Sequence, residues 1–201
     1  GVGVVMFVLV VLPSMGSTKM RLSSVELSSM AKDNFRYRTQ KILQILLVVY
    51  VGLTLVETVL LRMAGMSWFE AVCNSFSTIA TGGFCTRNAS IAAYGSLWIE
   101  MIVVFFMAVS GLHFGLIFAT LTGKSNNIFR SEISRYYVLS LLFGGLIVSV
   151  SLWASDMYPT FASSMRYGFF QVVSVSSTTG FATADSSVWT PLAIMVLTLF
   201  T

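Results

Sequence analysis

The 201-residue chain is 56% hydrophobic and only 10% charged, with a mean hydropathy of +0.83. Soluble domains carry about a quarter charged residues, so the composition excludes a water-soluble globule and makes membrane lipid the chain's surroundings. The net charge of +4 implies no nucleic-acid partner, because its distribution follows the membrane. Nine of the twelve basic residues (Lys19, Arg21, Lys32, Arg36, Arg38, Lys41, Lys124, Arg130 and Arg135) fall in two connecting segments. Only Arg62, Arg87 and Arg166 fall on the other side. An excess of Lys and Arg marks cytoplasmic loops, so both connecting segments are expected inside.

In chain order, residues 1–14 read as the last helix of a preceding unit, ended by Pro13. Residues 15–41 follow as a basic cytoplasmic linker, part helical near the membrane surface. Ile42 to Leu61 is a spanning run of about 30 Å at helical rise, stopped by Arg62. Ser67 is placed to cap a short helix over Trp68 to Thr78, with Glu70 completing a capping box. A loop from Ala80 to Thr86 and a polar outer stretch come next, and Leu97 to Leu121 returns through the membrane. The unit so defined covers 42–121. A second cytoplasmic linker, 122–135, leads to a further unit over 136–201. There Tyr136 to Ala154 climbs out, a short helix covers about Ala162 to Ser176, and Trp189 to Thr201 starts the next span. The chain begins at Gly1 and stops inside an apolar run, so a fragment of a longer protein is expected.

The two units contain one stretch written twice. Ser75 to Thr86 reads Ser-Phe-Ser-Thr-Ile-Ala-Thr-Gly-Gly-Phe-Cys-Thr, and Val173 to Thr183 reads Val-Ser-Val-Ser-Ser-Thr-Thr-Gly-Phe-Ala-Thr. At an offset of 97, Thr81 meets Thr178, Gly83 meets Gly180, Phe84 meets Phe181, Ser77 meets Ser174 and Ser67 meets Ser164. Each copy is an apolar segment of roughly three turns, too short for the ~20 residues of a span, ending in Thr-x-Gly-Phe. Non-helical backbone at membrane depth survives only where it is buried in protein or lines a water-filled path. The fold class is therefore all-α, a membrane protein of tandem helix–pore loop–helix repeats.

A cation crossing a membrane must exchange water for oxygen ligands, and a narrow filter can supply backbone carbonyls. Glycine allows the backbone angles that aim them. The threonine two residues earlier can add a hydroxyl, and the short helix turns its negative end toward the path. Neither loop holds a carboxylate, which suits a monovalent ion. Glu70, Glu100, Asp156 and Asp185 are expected near the mouth, drawing cations in. Of the remaining candidates, His113 reads as a neutral, hydrogen-bonded side chain beside a Gly111/Gly115 packing face. Glu57 reads as a paired structural acid, Arg166 as an interfacial anchor, and Cys73 and Cys85 as small packing residues. An intramembrane enzyme using His113 with Ser110 or a cysteine lacks any nucleophile–base spacing. A helical scaffold leaves the repeated loops unexplained. No enzymatic activity is expected.

These motifs resemble the Trk/Ktr/HKT superfamily of potassium transporters, most closely the bacterial Trk-type pore subunit. The resemblance covers Gly-Val-Gly-Val-Val near the start, Gly-Met-Ser-Trp-Phe-Glu-Ala at 65–71 and Phe-Ser-Thr-Ile-Ala-Thr-Gly-Gly-Phe at 76–84. It continues through Ser-Gly-Leu-His-Phe at 110–114, Arg-Ser-Glu-Ile-Ser-Arg-Tyr-Tyr at 130–137 and Ser-Thr-Thr-Gly-Phe at 177–181. It implies four helix–pore–helix units around one filter in a single chain, of which this sequence holds the second, most of the third and the last helix of the first. It also implies potassium uptake across the bacterial inner membrane, with K⁺ as the transported ion and no other cofactor. A homodimer and a cytosolic nucleotide-binding regulatory subunit are the implied partners. The filter carbonyls would come from Thr81, Gly82, Gly83 and Phe84, and from Thr178, Thr179, Gly180 and Phe181. Potassium against sodium selectivity, and channel against coupled carrier, stay open.

Overall fold

Between Ser29 and Arg62 the sequence has one glycine and no proline, so nothing stops a helix once it starts. In the structure, a computed structural model that describes residues 29–112, 120 and 131–201, helix α1 runs unbroken over Ser29–Met63. The helix expected over 1–14, the first linker to residue 28, His113 with Gly115, and residues 121–130 of the second linker lie outside the described residues. At 1.5 Å per residue α1 is about 52 Å long, well beyond the ~30 Å hydrocarbon layer. The expected linker residues 29–41 therefore belong to the same helix as the span, continuing it past the membrane on its basic side.

Helix α2 (Trp68–Ile79) and a short 3₁₀ turn (Ser90–Tyr94) lead to α3 (Leu97–Ser110). The second unit supplies α4 (Glu132–Ala154), α5 (Phe161–Ser176), a 3₁₀ turn (Ser186–Val188) and α6 (Pro191–Leu199). Among the described residues all regular structure is helical. Two helices among the described residues are long and apolar enough to cross a membrane, α1 over Leu46–Met63 and α4. Their outward faces carry Val48, Leu55, Val56, Leu139 and Phe143 exposed, as a lipid-facing surface requires.

Helix α3 departs from expectation. A single span over Leu97 to Leu121 was expected, but the helix stops at Ser110 and is capped by Gly111. The Ser110 hydroxyl donates back to the Met107 carbonyl at 2.9 Å, a bond that competes with the helical ladder and bends helices. Tyr137 of α4 fills the space a Cβ at Gly111 would take, its ring carbon Cζ 3.0 Å away. The approach of α4, together with this side-chain bond, marks the break.

The two units share one core. Leu61, Ile99 and Met107 of the first unit meet Leu152, Phe170 and Phe181 of the second in a single buried cluster. Helix α4 packs along α5 and α6, α1 along α2, and α3 touches α1, α2 and α5. Close approach of α4 and α5 depends on small residues, as expected where lipid replaces water as solvent. A Cβ at Gly168 would sit 2.9 Å from Ser149 Oγ and 3.3 Å from its backbone nitrogen. Gly168→Leu is therefore expected to cost about 1–3 kcal/mol by overpacking, read as earlier loss of monodisperse protein on heating in detergent. Unchanged thermal stability would show that the α4–α5 contact is loose.

Candidate functional site

Each loop is built by the way its short helix ends. At the start of α2 the capping box forms as expected. Ser67 Oγ accepts from the Glu70 amide at 3.3 Å, and the Ser67 amide donates to Glu70 Oε2 at 3.3 Å. Helix α5 starts a turn earlier than the repeat suggests. Its cap is Thr160, whose hydroxyl accepts from the Ser163 amide, so Ser164, the counterpart of Ser67, lies buried inside the helix.

At the other end the two helices finish identically. The amides of Ala80 and Ser177 donate to Phe76 and Val173, those of Thr81 and Thr178 to Thr78 and Val175, and those of Gly82 and Thr179 to Ser77 and Ser174. The last two pairs form a Schellman motif, which places the residue after the cap in the left-handed region, usually as glycine. Here that residue is threonine twice, Thr81 at φ 51° and Thr178 at φ 55°. Gly83 and Gly180 follow at φ 69° and 85°. Left-handed backbone costs an L-residue roughly 1–2 kcal/mol, so the structure keeps a strained threonine at the same point of both units.

This cap fixes where carbonyls face. In a planar trans peptide the C=O and the following N–H point in opposite directions. The amides of Thr81 and Gly82 turn back to the helix end, so the Ala80 and Thr81 carbonyls turn away from it. The amides of Thr178, Thr179 and Gly180 turn back likewise, sending the Ser177, Thr178 and Thr179 carbonyls outward. Behind them lies the negative end of each helix dipole. The Phe181 carbonyl behaves differently, accepting from the Ser174 hydroxyl at 2.6 Å. Its side chain is fully buried in the shared core, whereas Phe84 is 83% exposed. Ser77, the counterpart of Ser174, has no partner for its hydroxyl among the described residues. The second loop's Thr179, in the place of Gly82, shares its hydroxyl with Ser177 at 2.8 Å.

The structure brings the two loops together at one point. A Cβ at Gly83 would fall on the Thr179 carbonyl oxygen and lie 3.3 Å from the Gly180 carbonyl carbon. The first unit's outer stretch also braces the second loop, with Ala92 donating to the Ala182 carbonyl and the Ala182 amide donating to Ser90 Oγ, both at 3.2 Å. Beside the first loop lies a groove of about 490 Å³ lined by Tyr50, Cys73, Phe76, Gly82, Phe84 and Cys85. Both thiols are free and half-buried on this wall.

Three expectations about charged residues change. Glu57 is fully buried in α1, and among the described residues neither of its oxygens has a hydrogen-bond partner, so the expected pairing is not seen there. A sequence shows that an acid sits in a span, not which side chains surround it. Arg166 is more than an interfacial anchor, because it grips Glu100 of α3 through two bonds of 2.6 and 2.7 Å. The acids expected to draw cations are mostly committed elsewhere. Glu70 pairs with Arg87 at 2.7 Å, whose hydrogen bond holds its carboxyl below the usual range. Asp185 accepts from the Ser187 hydroxyl and amide, which lowers it too.

The comparisons with known proteins agree with the duplicated architecture. Residues 1–149 match the model of the TrkH family, described as cation transport protein. The Trk system potassium uptake protein TrkH of Salmonella typhimurium is 35% identical over 201 residues, covering 99% of this chain and 41% of that protein. TrkH of Halomonas elongata is 36% identical over 191 residues, covering 94% of this chain and 39% of its own length. The crystal structure of the potassium transporter TrkH from Vibrio parahaemolyticus superposes with a TM-score of 0.78 at 25% identity, over 97% of this chain and 40% of that one. The chain thus spans about two fifths of the length of these relatives. It belongs to the TrkH family of cation transport proteins.

Proposed function

We propose that this chain forms two adjoining walls of a potassium-uptake pore in a bacterial inner membrane, within a protein of four such units. Carbonyl groups of Thr81, Gly82, Gly83, Thr178, Thr179 and Gly180 replace the hydration shell of K⁺. Phe181 sets its loop in place by wedging into the core between units, its carbonyl held by the Ser174 hydroxyl, and the Phe84 carbonyl joins the filter set. The observation that carries this reading is the duplicated cap, which turns its amides inward and its carbonyls outward at equivalent points of two adjoining loops. Potassium is favoured as the ion because neither loop holds a carboxylate and the related proteins are named for potassium uptake. By the same relationship the full transporter works as a homodimer with a cytosolic nucleotide-binding regulatory subunit.

The strained threonines supply the test. Strain in a native backbone clusters where function requires it. Among the described residues nothing engages the Thr81 or Thr178 hydroxyl, which leaves both available to an ion at the inner end of the filter. Thr81→Gly and Thr178→Gly relieve the left-handed strain, offset in part by glycine's greater unfolded entropy. Stability is expected to stay level or rise by up to about 1 kcal/mol, while K⁺ uptake weakens. The measurement is growth rescue of an uptake-deficient strain at limiting K⁺, with Rb⁺ and Na⁺ flux in proteoliposomes of the full-length transporter. Full transport by both variants would remove the threonines from the ion path.

A further inference from the structure

The outer turn of the first unit reaches the second loop at a single residue, Ala182. This 3₁₀ turn, Ser90–Tyr94, opens with Ser90 at φ 55°, left-handed backbone that an L-residue adopts only at a cost. The Ser90 amide closes a tight turn on the Arg87 carbonyl at 3.0 Å. Two contacts then fix the turn to its surroundings. Ile91 is fully buried in the core that both units share. The Tyr94 hydroxyl accepts from Asn74 Nδ2 at 3.2 Å, and Asn74 is itself buried in α2.

From this base Ser90 and Ala92 take hold of both backbone groups of Ala182. Ser90 Oγ accepts the Ala182 amide, and the Ala92 amide donates to the Ala182 carbonyl, each at 3.2 Å. The preceding carbonyl, that of Phe181, accepts from the Ser174 hydroxyl at 2.6 Å. In a planar trans peptide the C=O and the following N–H point in opposite directions. The Phe181–Ala182 peptide is therefore gripped at both ends, by a serine of its own helix and by a serine of the other unit. It cannot rotate without losing both bonds. Directly before it stands Gly180 at φ 85°, a residue with no side chain to limit its backbone. The aim of the Thr179 and Gly180 carbonyls thus depends on where the chain is held just beyond them.

We propose that Ser90 is a positioning residue for the second filter loop, its hydroxyl locking the Phe181–Ala182 peptide from the neighbouring unit so that the Thr179 and Gly180 carbonyls stay aimed. The assignment rests on the filter reading. At the offset of 97, Cys85 matches Ala182 and Ser77 matches Ser174. The Ser77 hydroxyl has no partner among the described residues, so among them only the second loop is gripped in this way.

The test uses the full-length transporter in proteoliposomes and reads two quantities, Rb⁺ against Na⁺ flux and hydrogen exchange at the Ala182 amide by mass spectrometry. Ser90→Gly and Ser90→Ala both remove the acceptor, but glycine relieves the positive φ while alanine retains it. Both are expected to lose roughly threefold to tenfold of the Rb⁺ over Na⁺ preference at normal yield. Both should also exchange the Ala182 amide about tenfold faster. Ser90→Thr keeps the hydroxyl, in a residue this chain already holds at φ 51° and 55°, and should keep the parent's preference and exchange rate. Unchanged exchange in the glycine and alanine variants overturns the grip. Faster exchange with the parent's ion preference overturns its role in positioning. A threonine variant that falls as far as glycine, or a glycine variant with parental preference beside an impaired alanine variant, shows that the hydroxyl is not what counts and overturns the proposal too. Failure of the filter reading looks different: Gly83→Ser and Gly180→Ser would then leave ion preference untouched while Ser90→Gly still speeds exchange at Ala182.

Discussion

Gly83→Ser is expected to abolish selective K⁺ uptake while the protein still inserts and folds. Its Cβ has nowhere to go, since the Thr179 carbonyl oxygen occupies that space. Relief requires one of two moves, and both damage the site. Either the first loop retreats, or the Thr179 peptide rotates and takes an outward carbonyl with it. The residue must also hold φ at 69°, which adds strain of about 1–3 kcal/mol. That is small for a helical bundle, yet 1.4 kcal/mol is already tenfold in ion preference. Gly180→Ser meets no atom within 4 Å among the described residues and is opposed only by its φ of 85°. If four units close around one axis, a loop of the next unit stands against Gly180 as the second loop stands against Gly83. The full-length transporter should then suffer equally from both substitutions. Growth at limiting K⁺ and Rb⁺ and Na⁺ flux decide the matter. Wild-type rate and preference in both variants would show that the loops are not the filter. A mild Gly180→Ser beside a dead Gly83→Ser would retain the filter but break the equivalence of its walls.

Much of this arrangement was legible in the chain because it rests on local rules. The offset of 97 predicts which residues correspond, and the structure gives those residues the same bonds and the same sign of φ at Thr81 and Thr178, and at Gly83 and Gly180. The Ser67–Glu70 box was readable for the same reason, being a contact three residues apart. Helix limits were readable only where a breaker or cap marks them. Ser29 to Gln40 contains no breaker, so polarity alone suggested a linker where the backbone stays helical. The stop at Ser110 has only a weak local signal in Ser110 and Gly111, and it depends as well on Tyr137 in another helix.

What the sequence did not disclose is side-chain partnership across units. Glu100 and Arg166 are 66 residues apart, and their pairing follows from how α3 meets α5. Composition suggested that both faced the outer surface, which led to an attracting acid and a separate anchor. Glu57 shows the opposite error. A charged residue in a span is normally paired, but no partner for either Glu57 oxygen is found among the described residues. Both residues required knowledge of which helices touch, and the internal repeat does not supply it, because neither Glu100 nor Glu57 belongs to the duplicated stretch.

Arg166→Ala is expected to separate the two units more than any other single surface change. The guanidinium is 30% exposed, but its partner carboxylate on Glu100 is only 5% exposed. Removing the arginine leaves that carboxylate buried without a counter-charge, and breaking a buried pair from one side costs about 3–5 kcal/mol. Partial exposure of the arginine places this case near the lower end, about 3 kcal/mol. Arg166→Lys should recover only part, because two parallel bonds of 2.6 and 2.7 Å need the planar fork of arginine. The double variant Glu100→Gln with Arg166→Met should recover most of the loss, since it removes the stranded charge together with its partner. Thermal loss of monodisperse protein, followed by fluorescence-detected size exclusion, ranks the four proteins. Parental stability in Arg166→Ala would mean the pair does not join the units. A double variant as unstable as Arg166→Ala would mean the loss came from arginine packing over the Tyr167 ring, 5.4 Å from its centroid, rather than from the abandoned carboxylate.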